Sequence, residues 1–244
     1  MERFRDQALV LGHVDYADAD RIVTLLTRDH GKVTAFAAGA RKSKRRFAGA
    51  LEPMTELDVA LVERHGTLFR LDAADVRRSF EGVRRELPRI ARALYALELV
   101  RELVREREPH PDLLDLLLDY QRGLEAGDHS AQTLLQFELQ ALACAGLMPR
   151  FEDCAVCAGA LSAPVRFDVE HGGAVCGRCL ARTPRAVPLA PILLETLVRV
   201  QSGETTALSP DVLLQARVLL GRFIRHQLAR QLHGAEFMAQ VGLD

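Results

Sequence analysis

The sequence is poor in several residue types that often mark a site. Its 244 residues include no tryptophan and three tyrosines, and aromatics make up 5% of the chain. Broad base-stacking surfaces, as used by sequence-indifferent single-strand binders, are therefore scarce. No apolar run approaches the roughly 18–20 residues needed to span a bilayer. The opening MERFRDQALVLGHVDYADAD is charged and then strand-like, without the apolar core and cleavage site of a signal peptide. These absences predict a soluble intracellular protein with no membrane partner. Net charge is -1, so the molecule is no polycation and any nucleic-acid affinity must be local. The common catalytic templates are missing as well: no H-E-x-x-H, no G-x-S-x-G and no G-x-G-x-x-G. Lysine occurs only at Lys32, Lys42 and Lys44, and arginine carries the remaining positive charge.

Hydrophobic residues reach 48%, enough for a real core. The length suits two modest domains plus a small insert. Residues 1–80 read as β. The stretches 7–14, 21–28, 32–39, 56–63 and 67–74 are short and rich in Val, Leu and Thr, with breakers between them. Asp29-His30-Gly31 marks a tight hairpin between the second and third. Five such strands suggest a small closed barrel, with the OB-fold a leading candidate.

From Leu87 the pattern becomes helical, with Ile90, Leu94 and Leu97 at helical spacing. A second helix opens near Pro111 and a third after Ser130, which is a suitable N-cap. The third is apolar almost all round and so belongs at a bundle's centre. Further helices are predicted from about Pro191 and after the cap-like Ser209-Pro210-Asp211. The domain reading is residues 1–80 as barrel, 81–150 and 188–244 as a helical domain in two parts, and 151–187 as a cysteine module. The fold class is thus α+β and multidomain.

Cys154-x-x-Cys157 and Cys176-x-x-Cys179 are separated by 18 residues. This is zinc-ribbon spacing, because each knuckle brings two thiolates onto one ion and two knuckles complete a tetrahedral shell. Four protein ligands leave no open position, so one structural Zn²⁺ is expected rather than a catalytic one. A redox disulfide pair or an iron form is the alternative. A zinc deaminase would need H-x-E ahead of P-C-x-x-C, and that glutamate motif is absent. The fifth cysteine, Cys144, is expected to be a small buried hydrophobe.

GARKSKRRFAG, residues 39–49, carries five cations within the six positions from Arg41 to Arg46. A phosphate-cradling P-loop would need glycine directly before the lysine and a helix after it. Here Arg41 precedes Lys42-Ser43, and a strand is expected to follow. Plain solvated surface is one reading of the stretch. Contact with a phosphate polymer is the other, favoured by the mutual repulsion of the cations and by a barrel setting that often binds single strands. Five phosphate contacts on a single strand would give a salt slope of about −3.5. A second set, Arg84, Arg85, Arg89, Arg92, Arg217, Arg222, Arg225 and Arg230, reads as solvated helix faces, an extension of the nucleic-acid track or a site for an acidic peptide.

Taken in order, these pieces resemble the RecO family of bacterial recombination mediators over nearly the whole chain. DRIVTLLTRDHGKVTAFAAGARKSKRRFAGALEPMTELDV looks like that family's N-terminal signature. FELQALACAGLMPRFEDCAVC looks like its junction from central helix to zinc module. The resemblance implies an OB-fold domain followed by a helical domain with a Cys₄ zinc-ribbon-like insert, and no catalytic residues or nucleotide hydrolysis. It implies binding of single- and double-stranded DNA, annealing of complementary strands, and help in loading RecA onto strands coated by single-stranded-DNA-binding protein. RecR and the acidic C-terminal tail of single-stranded-DNA-binding protein are the implied partners, and a cytoplasmic, nucleoid-associated location is the implied setting. The DNA-binding role falls on Arg41, Lys42, Lys44, Arg45 and Arg46, and the zinc role on Cys154, Cys157, Cys176 and Cys179. A zinc-ribbon adaptor that binds only protein, or a metal-dependent nucleic-acid-processing enzyme, is the alternative function.

Overall fold

The computed structural model describes residues 3–43, 46, 47, 49–63, 68–204 and 207–243. The chain forms two compact units, Met1–His129 with Leu232–Gly242, and Ser130–Gln231 with Leu243–Asp244.

The first unit opens with β1 (Arg3–Tyr16), β2 (Asp20–Thr27), β3 (Gly31–Ala37), β4 (Glu56–Val62) and β5 (Phe69–Arg78). They close into a barrel in the order β1-β2-β3-β5-β4. All ladders are antiparallel except the short β3–β5 pairing, where Ala35 faces Phe69. The five expected strands are all present. β1 starts earlier than its hydrophobic pattern implies, because its charged first residues pair with β4 while its second half pairs with β2. Closure thus depends on one long strand serving two neighbours. A register shift between Val10 and Gly12 lets it bend.

Alternation explains the barrel core. Val33, Ala35 and Ala37 point inward on β3, and Lys32, Thr34 and Phe36 point away. The β2–β3 hairpin turns at Gly31, whose φ of +67° suits glycine. An added Cβ there would lie 2.0 Å from the Glu108 carbonyl oxygen.

The same unit holds α1 (Leu87–Leu103), α2 (Pro111–Ala126) and the short α6 (His233–Gln240). The sequence pattern does not reveal α6, and the reason is non-local. Its first N–H groups, on His233 and Gly234, donate to the buried Glu98 carboxylate of α1 at 3.1 and 2.7 Å. Gly234 lies against Tyr95, where an added Cβ would come within 2.6 Å of the backbone.

The second unit contains α3 (Ala131–Cys144), a three-stranded sheet ordered β7-β6-β8, α4 (Pro191–Gln201) and α5 (Pro210–Leu228). The sheet strands are β6 (Arg166–Asp168), β7 (Gly173–Val175) and β8 (Val187–Pro188). Ser130 caps α3 as expected, its hydroxyl accepting from the Thr133 N–H at 3.0 Å. Ser209 occupies the N-cap position of α5 but makes no capping hydrogen bond, so Pro210 at the first turn carries that start signal. The apolar α3 is buried on most sides, and its one buried acid, Glu138, is held by Arg217 with both oxygens at 2.8 Å. Cys144 is half-buried rather than buried, because it falls in the last turn of α3.

Candidate nucleic-acid interface and metal centre

The basic stretch lies in the β3–β4 connection. Its described residues do not project as a free finger. Ala40, Phe47, Ala50 and Leu51 belong to the same buried cluster as Val23, Leu25 and Leu61 of the barrel. Phe47 is 2% exposed, so the loop closes over the barrel's apolar interior. Local turns hold this path. The Ser43 hydroxyl accepts from the backbone N–H groups of Arg46 and Phe47 at 3.0 and 3.2 Å. The Gly39 N–H donates to Asp20 at 2.7 Å, and the Arg41 N–H donates to the Ala19 carbonyl at 2.9 Å.

The three described cations of the stretch remain outside. Arg41 and Lys42 are exposed, as is Arg46. Arg46 donates to the Ala38 carbonyl, and its guanidinium lies 4.4 Å from the centre of the Phe47 ring. Arg41 straddles the β1–β2 turn, with Nη1 donating to the Ala17 carbonyl at 3.2 Å and Nε 3.3 Å from Asp15. No ion pair of the Lys42 side chain occurs among the described residues. Lys44 and Arg45 lie outside the described residues.

An acidic margin faces this loop, a feature that local sequence patterning did not reveal. Asp15 is shared by Arg21, at 3.0 Å, and Arg41. The Arg21 hydrogen bond, then the Arg41 charge, holds the Asp15 carboxyl below the usual carboxylate range despite opposing desolvation. Arg21 also pairs with Glu52 at 2.8 Å. The repulsion expected among the loop cations is thus partly relieved within the chain.

The barrel aromatics divide into three sets. Phe47 and Phe69 are buried. Phe4 is stacked on His30 with ring centres 3.7 Å apart. Tyr16 and Phe36 face outward and meet edge to face at 6.0 Å.

Half of the eight helical arginines brace the fold and half are exposed. Arg84 donates to the Pro53 carbonyl at 2.6 Å, Arg89 donates to the Glu125 carbonyl at 3.2 Å, and Arg92 is buried. Arg217 serves Glu138. Arg85 and Arg230 are exposed. Arg222 and Arg225 are exposed on α5, with no ion pair to either among the described residues. They rim a groove of about 680 Å³ in the second unit, with Phe167, Leu193, Leu214 and Val218 among its apolar walls.

The four paired cysteines converge. All four sulfurs lie within 4.8 Å of one another. A tetrahedral ion with metal–sulfur bonds of about 2.3 Å needs sulfurs about 3.8 Å apart. Cys157 and Cys176 are 3.9 Å apart. Cys154, Cys176 and Cys179 are buried, and Cys157 is exposed. The knuckles are fixed by backbone bonds: Cys154 N–H to the Gly159 carbonyl at 2.9 Å, and Cys179 N–H to the Cys176 carbonyl at 2.9 Å. Gly177 is required by a close approach, since a Cβ there would lie 2.7 Å from the Ala163 carbonyl oxygen.

The thiols are electrostatically uneven. Desolvation pushes the Cys154 thiol up, but donation from the backbones of Cys176, Cys157 and Val156 outweighs it and brings the group down to about 6. Burial and the neighbouring cysteine sulfurs push Cys179 up to about 12. A bound metal cation would relieve this mutual repulsion, and the donor set fits a structural metal.

Comparison with known proteins accords with these features. Residues 1–80 match the family model described as recombination protein O N terminal, and residues 84–236 match the one described as recombination protein O C terminal. The chain is 54% identical to the DNA repair protein RecO of Myxococcus xanthus over 100% of both chains. It is 46% identical to that of Anaeromyxobacter dehalogenans, covering 99% of this chain and 98% of the relative. Identity to the Geobacter metallireducens protein is 35% over 100% of both. Barrel, helices, cysteine centre and full-length similarity agree, and the chain belongs to the RecO family of DNA repair proteins.

Proposed function

We propose that the chain is a recombination mediator that binds DNA through the β3–β4 loop, anneals complementary strands and performs no covalent chemistry. The observation that carries this reading is the anchored loop. Arg41, Lys42 and Arg46 stand outside a segment whose apolar residues are buried in the barrel. Cations held on a fixed surface neutralise phosphates without first ordering a free loop, so less conformational entropy is lost on binding. Lys44 and Arg45 complete the proposed set. Annealing then needs no catalytic group, because phosphate repulsion is reduced and base pairing supplies the driving force.

Mediation needs a second contact, to the protein already on the strand. The groove beside α5 suits an acidic, partly apolar peptide, with apolar walls for side chains and Arg222 and Arg225 for carboxylates. We assign the tail of single-stranded-DNA-binding protein to it. RecR is the further partner that the family implies, with RecA the recombinase finally loaded. The cysteine centre holds one structural Zn²⁺ through Cys154, Cys157, Cys176 and Cys179. It staples a segment in which the described strands are only two or three residues long.

Four outcomes are expected. Neutralising Arg41, Lys42 and Arg45 together lowers single-strand affinity and makes the salt slope shallower by about 2, read by titration from 50 to 200 mM salt. An unchanged slope favours the protein-only adaptor. In the same titration Asp15→Asn raises affinity, because Arg41 no longer exchanges a carboxylate for a phosphate.

Cys176→Ser abolishes zinc, from about one ion per chain, in elemental analysis. Single-strand retention by the loop persists in that variant. Reversing Arg222 and Arg225 to glutamate abolishes binding of a fluorescent acidic tail peptide and leaves oligonucleotide affinity unchanged.

A further inference from the structure

The outer face of the barrel carries an apolar strip that the phosphate contacts leave unused. In the ladder, Val14 lies opposite Ile22, and Ile22 lies opposite Phe36, so the three form one row across β1, β2 and β3. Tyr16, two residues beyond Val14, points to the same side and closes on Phe36 edge to face at 6.0 Å. Val14 is 60% exposed and Tyr16 is 54% exposed. Ile22 and Phe36 are half-buried, so the strip presents two exposed and two half-buried large apolar side chains in register, two of them aromatic, where polar residues could have stood.

The surroundings identify the occupant. Arg41 bonds to Asp15 and to the Ala17 carbonyl, the residues on either side of Tyr16. A cation able to take a phosphate thus stands next to an aromatic face able to take a base. Asp15 is already held by Arg21 and Arg41, and Asp20 by the Gly39 N–H, so these carboxylates have partners. A protein partner could use the apolar strip, but the adjoining cation favours a ligand whose phosphate and ring lie one nucleotide apart. A duplex offers phosphates while its base faces stay inside the stack. An unpaired strand offers both.

We infer that Tyr16 and Phe36 form a base-stacking platform that makes this barrel prefer single-stranded over double-stranded DNA. The inference rests on the loop's role in phosphate binding. Backbone charge alone, the mode expected of a chain so poor in aromatics, would leave no preference for exposed bases. The platform adds one, because stacking is available only where bases are unpaired.

The test compares three probes of equal length: a thymidine oligonucleotide, an abasic strand with the same sugar-phosphate chain, and a duplex. Unaltered protein should bind the thymidine strand more tightly than the abasic one. Tyr16→Ala and Phe36→Ala should each weaken thymidine-strand binding by about fivefold to a hundredfold. Abasic and duplex binding and the salt slope should stay unchanged. Both positions face outward, and a thermal melt verifies that each variant is folded.

Tyr16→Trp supplies a second readout. The chain has no tryptophan of its own, so the new indole reports alone. Its fluorescence should be quenched by the thymidine strand and not by the abasic one, with affinity retained. Equal affinity of unaltered protein for thymidine and abasic strands would overturn the platform while leaving loop binding intact. So would equal losses on all three probes, or loss of a protein partner with no change on DNA. Failure of the loop reading is distinguishable, because neutralising the loop would then leave abasic-strand binding unchanged.

Discussion

Burial of Phe47 under the barrel governs the proposed DNA surface. A run of like charges would ordinarily stand away from the core and move freely. Here Ala40, Phe47, Ala50 and Leu51 tie the two flanks of the run into the apolar cluster that fills the barrel. The Ser43 hydroxyl and the Gly39–Asp20 bond hold the described residues on either side. The described cations Arg41, Lys42 and Arg46 therefore sit outside an anchored segment, and the hydrophobic effect that folds the barrel also presents their charge.

Charge on that rim is balanced rather than maximal. Asp15, Asp20 and Glu52 accept bonds from Arg21, Arg41 and the loop backbone. In the proposed binding mode such a surface exchanges internal carboxylates for phosphates, which moderates its affinity. The second unit follows a different logic. Its cysteine module has little secondary structure to support it, and the four converging sulfurs form a site suited to a metal cross-link in its place.

The parts legible in the sequence are those encoded locally. The alternation of Val33, Ala35 and Ala37 marks a strand, the Asp29-His30-Gly31 turn marks a hairpin, and the Cys-x-x-Cys pairs mark a metal shell. The strands, helices α1 to α5 and the cysteine cluster are all found near their expected places. What was not legible depends on partners distant in the chain. The helix α6 is capped by Glu98, more than a hundred residues earlier. The start of β1 becomes a strand because β4 lies beside it. Ala40 is parted from Phe47 by the six polar residues 41–46, so pattern alone leaves the loop free. Arg84, Arg89 and Arg217 resemble solvated charge until their carbonyl and carboxylate partners are seen.

Hydrogen exchange with and without a single-stranded oligonucleotide tests the central claim most directly, because it locates the contact without altering the chain. The account predicts added protection across residues 39–51 and in the β1–β2 turn, with the cysteine module unaffected. Protection confined to the second unit, with the β3–β4 loop exchanging as before, would contradict it.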